Sequence, residues 1–170
     1  FTELFAASEA KILGESSYPE TFEIAGRLGN LPVYASISKR GGMVINLFVN
    51  KTVAKIDLTE KDAEILAVEY AEHLGYESLR PVWYNENAGI AYVNLAPEAD
   101  GIVYYTDLVK VKIAMDDGTV MGLEATGYCL NHTDRRLSPV IDAETAESRV
   151  TDKLTVTSTR LCDIPDGENE

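Results

Sequence analysis

Long hydrophobic runs are missing from this sequence: its apolar stretches are broken within about six residues by Asn, Lys or Gly, so no segment suits a membrane-spanning helix, which needs about 20 apolar residues. Cysteine is scarce. Cys129 and Cys162 cannot form a disulfide framework, so they do not date the compartment, and a single bridge between them stays open. Basic residues are few as well, 15 Lys and Arg against 28 Asp and Glu, for a net charge of −13. No basic run exceeds Lys39-Arg40 or Arg135-Arg136. Such a chain repels phosphate backbones and anionic lipid, which excludes nucleic acid as the expected partner and favours a basic protein surface or loosely held divalent cations. The two histidines, His73 and His132, do not form a His-Glu-x-x-His metal helix, and no Gly-x-Ser-x-Gly elbow or phosphate-cradling glycine loop is present. Neither catalysis nor a cofactor is expected. The chain starts at Phe1 and ends just after a strand-like run, the mark of a piece of something longer, with any membrane anchor outside it.

What is present is an ordinary globular composition, 45% apolar and 25% charged over 170 residues. From Thr59 to Leu74, the residues Ala63, Leu66, Ala67, Tyr70, Ala71 and Leu74 recur at spacings of three and four and predict one amphipathic helix. Thr59 with Asp62 forms a near capping box, and Gly75 sits where a left-handed cap belongs. β-branched and aromatic runs follow at Val82 to Tyr84, Ile90 to Leu95, Val103 to Met115 and Thr119 to Thr126. In the third run Val109, Val111, Ile113 and Met115 alternate with Leu108, Lys110, Lys112 and Ala114, so one face seeks a core and the other shows lysine to water. Asp116-Asp117-Gly118 is read as the hairpin turn after it rather than as a calcium loop.

The same grammar appears upstream: an Ala/Leu-rich helical segment over Thr2 to Leu13, then strands near Thr21 to Arg27, Leu31 to Lys39 and Met43 to Asn50. A shift of 76 residues superposes Gly42 on Gly118, Val33 on Val109, Ile37 on Ile113, Val44 on Val120 and Leu47 on Leu123, which indicates an internal repeat. After Pro139 a third helix capped by Asp142 and a strand-like Leu154 to Leu161 predict either the opening of another module or a piece that docks back on the second.

The stretch from Val103 to Arg136 resembles the most recognisable part of the YpeB family of spore-germination proteins. Its elements are Tyr105, Asp107, Leu108, Lys110, Val111, Lys112 and Ala114, the turn Asp116 and Gly118, the strand Gly122-Leu123-Glu124-Ala125, and the exit Gly127-Tyr128 with Asn131, His132 and Arg135. Ser38-Lys39-Arg40-Gly41-Gly42 is similar to another turn of that family. The resemblance implies an α+β fold of tandem PepSY (cystatin-like) modules, each a helix packed on a curved antiparallel β-sheet. Residues 1–57 would form the first module, 58–137 the second, and 138–170 the start of a truncated third. It also implies a non-catalytic regulator of germination at the extracytoplasmic face of the spore inner membrane, in the cortex region. Such a protein would partner the cortex-lytic enzyme SleB and restrain or stabilise it. The alternative is an extracytoplasmic sensor of a peptidoglycan fragment, peptide or metal.

For partner binding the candidates are His132, Arg135 and Arg136, where the resembled pattern holds His and Arg, together with Lys110, Lys112 and Tyr105. Arginine pairs bidentately with carboxylates, and lysine on an open strand face suits an acidic partner or peptidoglycan carboxylates, against the reading of such lysines as solvated or paired with Glu on the next strand. Against this stands the reading of residues 131–136 as a structural crossover whose side chains satisfy backbone carbonyls. Tyr84, Tyr92, Tyr104, Tyr105 and Trp83 are candidates for a groove lining or for core. Cys129-x-x-His132 has chelating spacing, but tetrahedral zinc needs two more ligands, which only Cys162 or His73 offer, so no metal site is expected.

Overall fold

The computed structural model of the chain describes residues 8–135 and 138–165. Its framework is a ten-stranded sheet in which two four-stranded antiparallel meanders meet side by side. The first meander is β1 (Ser8–Ser17), β2 (Glu20–Leu28), β3 (Leu31–Ser38) and β4 (Val44–Val49); the second is β5 (Leu79–Asn87), β6 (Ile90–Ala99), β8 (Val109–Ala114) and β9 (Val120–Glu124). Between β6 and β8 lie the short β7 (Ile102–Tyr104) and a 3-10 turn, Tyr105–Asp107. The strand β10 (Leu161–Asp163) pairs parallel with β7.

The seam between the halves is the antiparallel pair β4–β9, with Leu47 opposite Leu123, the residues that the 76-residue shift superposes. Pairing inside the halves repeats residue for residue. Ala35 faces Leu47 as Val111 faces Leu123, Ile37 faces Val44 as Ile113 faces Val120, and each half carries a register shift just before that pair. An approximate two-fold axis therefore runs through the seam.

The helix α1 (Glu60–His73) forms as its sequence specifies. The Thr59 side chain accepts from the Asp62 backbone N–H, the Asp62 carboxylate returns the bond to the Thr59 N–H, and both bonds close the first turn. At the other end Gly75, at φ +92°, lets its own N–H reach the Glu72 carbonyl and that of Tyr76 reach Ala71, so the last carbonyls are satisfied. Ala63, Ala67 and Ala71 are fully buried in one cluster with Ala91, Val93, Val109, Val111 and Ile113. Alanines on the helix and branched residues on the strands allow a close approach, and each fully buried Val or Ile is worth about 1.5–3 kcal/mol. Tyr76, just beyond the helix, donates its hydroxyl to the Val44 carbonyl at 2.6 Å and so joins the second half to β4 of the first.

Two expectations are corrected. The segment read as a helix over Thr2 to Leu13 is, from Ser8 on, the strand β1; residues 2–7 lie outside the described residues. Helix propensity is a weak preference, and here β2 supplies backbone partners from Ser8↔Arg27 to Ser17↔Glu20, with irregularities that absorb Glu9 at φ +55°. The strand expected over Leu154 to Leu161 begins only at Leu161, the first residue to meet β7. Asp142 does cap a helix, the short α3 (Ala143–Glu147), by accepting from the Thr145 N–H. Among the described residues no helix is long and apolar enough to cross a membrane.

Candidate functional site

The recognisable motif converges on one carboxylate. Asp107, at the end of the 3-10 turn, is 0% exposed. Its Oδ1 accepts from Arg135 Nη2 and from Thr106 Oγ1, both at 2.7 Å, and its Oδ2 lies 2.8 Å from His132 Nδ1. Arg135 also bonds Asp163 of β10 through Nε at 3.0 Å and the Asn131 carbonyl through Nη1 at 2.6 Å, while its guanidinium sits 4.6 Å over the Tyr104 ring. The His132 ring stacks on Tyr128, which closes the helix α2 (Thr126–Asn131) against Tyr76. Burial pushes the Asp107 pKa up, but the bonds from Arg135, Thr106 and His132 outweigh it and hold the carboxyl below its usual range. The turn and the segment after α2 thus meet at one anion, and Arg135 ties the end of α2 and β10 to it.

His132 and Arg135 are therefore engaged inward with a carboxylate rather than with the backbone carbonyls of the crossover reading, of which Arg135 reaches one, that of Asn131. Tyr105 is half-buried in the same turn, and Arg136 lies outside the described residues. Cys129 and Cys162 are free thiols, and burial raises the Cys129 pKa. Among the described residues no three His, Cys, Asp or Glu side chains gather to hold a metal. Asp107 and Asp163 went unnoticed as partners in the sequence, where no spacing marks an acid as buried.

Lys110 and Lys112 lie elsewhere, on the sheet face opposite α1. Cross-strand pairing aligns this face into two rows. One reads Ala25, Tyr34, Phe48, Gly122, Lys112, Tyr92 and Asn85; the other reads Glu23, Ser36, Asn46, Glu124, Lys110, Asn94 and Trp83. Apart from Ala25 and Asn85 at the ends of the first row, these residues line a groove of about 720 Å³. Tyr34 and Phe48, 50% and 51% exposed, flank one side of it, and Trp83, 51% exposed, flanks the other with Tyr92. Its centre is polar. Lys110 pairs with Glu124 at 2.9 Å, the Lys112 ammonium lies 5.5 Å from the Tyr92 ring centre, and Glu23 accepts from Thr21 at 2.6 Å and Ser36 at 2.7 Å. Gly122 forms the floor, because a Cβ there would press on the Leu47 carbonyl at 3.3 Å and on Lys112 Cδ at 3.2 Å. Trp83 and Tyr92 are thus groove residues, whereas Tyr84 packs against the core and Tyr104 joins the Asp107 cluster. Tyr34 and Phe48 were missed, for only pairing with the second half brings them into line with Tyr92.

The family model described as "YpeB sporulation, PepSY1 and PepSY2 domains" matches residues 7–138. The chain belongs to the YpeB family. Three proteins named sporulation protein YpeB are similar to it: 25% identical over 81% of the chain in Oceanobacillus iheyensis, 27% over 72% in Halalkalibacterium halodurans and 26% over 76% in Bacillus subtilis. These matches cover 31%, 28% and 29% of the relatives, so the chain spans less than a third of their length. The solved Bacillus megaterium YpeB C-terminal domain superposes with a TM-score of 0.87 at 21% identity, covering 99% of this chain and 79% of that one. The α+β PepSY fold of the YpeB C-terminal domain is therefore the fold of this chain, and the outer groove and, apart from Asp163, the Asp107 cluster fall within residues 7–138.

Proposed function

We propose that this chain is a non-catalytic binding and regulatory region of a spore-germination protein, held at the extracytoplasmic side of the spore inner membrane, which partners SleB and restrains or stabilises it. The observation that carries this reading is the edge strand β1. All but one of its residues are exposed, and on its outer side no described strand pairs with it. Unpaired strand backbone is a natural docking edge, since an added strand gains main-chain hydrogen bonds without a preformed pocket. Between α1 and the sheet Leu74, Val109 and Ile113 fill the space with Tyr70 packed beside them, so a partner is met on the surface rather than in that interior. The test is co-purification of the chain with SleB and assay of cortex lysis with the chain added. Retention of SleB together with a changed lytic rate or half-life is expected; loss of both removes the partner claim and leaves the fold untouched.

A second reading, ligand sensing, is favoured by one observation: the groove on the outer face, which the filled helix–sheet interior cannot replace.

A further inference from the structure

The outer groove inverts the anatomy of a protein-binding patch. Protein interfaces put apolar and aromatic side chains at the centre and polar ones at the rim. Here the aromatic side chains stand on the two flanks, Tyr34 and Phe48 on one and Tyr92 and Trp83 on the other, while between them lie Gly122, Lys112 and the Lys110–Glu124 pair, with the amides Asn46 and Asn94 beside Phe48 and Tyr92. The side-chain amides of Asn46 and Asn94 make no hydrogen bond to any described residue, and both line the groove. With strands spaced at about 4.8 Å, Phe48 and Tyr92, three strand positions apart, are separated by about 14 Å.

A ligand suited to this surface has flat apolar faces that stack on aromatic rings and a fringe of groups that both donate and accept hydrogen bonds. Sugar rings have both. Charge narrows the class further. Glu124 is neutralised by Lys110, Glu23 keeps its charge but stands on β2, four strands from Lys112, and no carboxylate among the described residues pairs with Lys112. An ammonium left without a counter-ion at the centre of a groove, in a chain of net charge −13, complements an anion on the ligand. We infer that the groove over Gly122 binds a carboxylate-bearing glycan strand, whose rings stack on the aromatic flanks and whose carboxylate meets Lys112. This rests on the ligand-binding reading of the outer face and is independent of the SleB edge.

Trp83 is the one tryptophan of the sequence and lines the groove, so its fluorescence reports occupancy directly. The whole chain is titrated with a hyaluronan hexasaccharide, which alternates N-acetylhexosamine with a carboxylated sugar, with neutral chitohexaose, and with an oligoglutamate peptide. The expected result is a saturating change in Trp83 emission with both glycans, about tenfold tighter for the carboxylated one at low salt, and none with the peptide. Lys112→Met should bring hyaluronan down to the affinity of chitohexaose, and Phe48→Ala with Tyr92→Ala should abolish both while the circular-dichroism melt is unchanged. Equal affinity for the two glycans in the unaltered chain, or binding that survives the aromatic substitutions, overturns the inference. Response to the peptide alone overturns the glycan but keeps the ligand-binding reading; response to no probe sinks both.

Discussion

At the scale of single residues, Asp107 is the one charged side chain that is buried among the described residues. Its folded pKa is depressed, so the stability it contributes is present above the ordinary carboxylate range and is lost as pH falls through the lowered folded value. Asp107→Asn should therefore cost about 1.5–3 kcal/mol at neutral pH, the worth of hydrogen bonds to a charged group, and the gap from the unaltered chain should close on acidification. Urea melts of both proteins at a series of pH values read this; a gap that stays constant in acid would contradict it. Tyr76→Phe should cost about 1–3 kcal/mol in the same melts, because it orphans the buried Val44 carbonyl. What the sequence shows at this scale is which face a residue takes. Lys110 and Lys112 alternate with Val109, Val111 and Ile113, and the sheet places them accordingly. It does not show convergence: Thr106, His132, Arg135 and Asp163 are up to 57 positions apart and meet only through tertiary structure.

Among the elements, α1 was legible because everything that specifies it is local: its cap, its stripe and its terminal glycine. The strand β1 was not, because its state depends on a neighbour that hydrogen-bonds it, and composition favoured the other form. The same holds for β10, whose three residues are strand only where β7 reaches them. The alanine stripe of α1 sets how close the helix sits to the sheet. Ala67→Leu should therefore destabilise by about 1–3 kcal/mol through overpacking, whereas Ile65→Ala on the exposed side should change stability by less than about 0.5 kcal/mol. Thermal or urea unfolding of the two variants separates these cases. The strap from 138 to 160 is exposed along almost all its length and has only the five-residue α3. Trypsin should cut first after Arg149, Lys153 or Arg160, before any site in the sheet, and mass spectrometry of the early fragments checks it.

Across the whole molecule, the repeat visible as a shift of 76 becomes one continuous sheet rather than two separate bodies, a consequence that the sequence could not announce because nothing local says that β4 and β9 pair. The halves should unfold together: Trp83 fluorescence, which reports the second half, and far-UV circular dichroism, which reports both, should give coincident urea transitions. Leu47→Asp at the seam should lower both in step, and divergent transitions would show the halves to be independent. The axis through that seam also decides the character of the outer face. Positions it exchanges carry unlike chemistry, since the facing rings Tyr34 and Phe48 stand where the other half has the ion pair Lys110 and Glu124. A frame of near-equal halves thus wears unequal decoration: anything extended along the groove crosses Tyr34 and Phe48 on one side of the axis and the Lys110–Glu124 pair on the other before it reaches Tyr92 and Trp83, so the surface has a direction that its scaffold lacks.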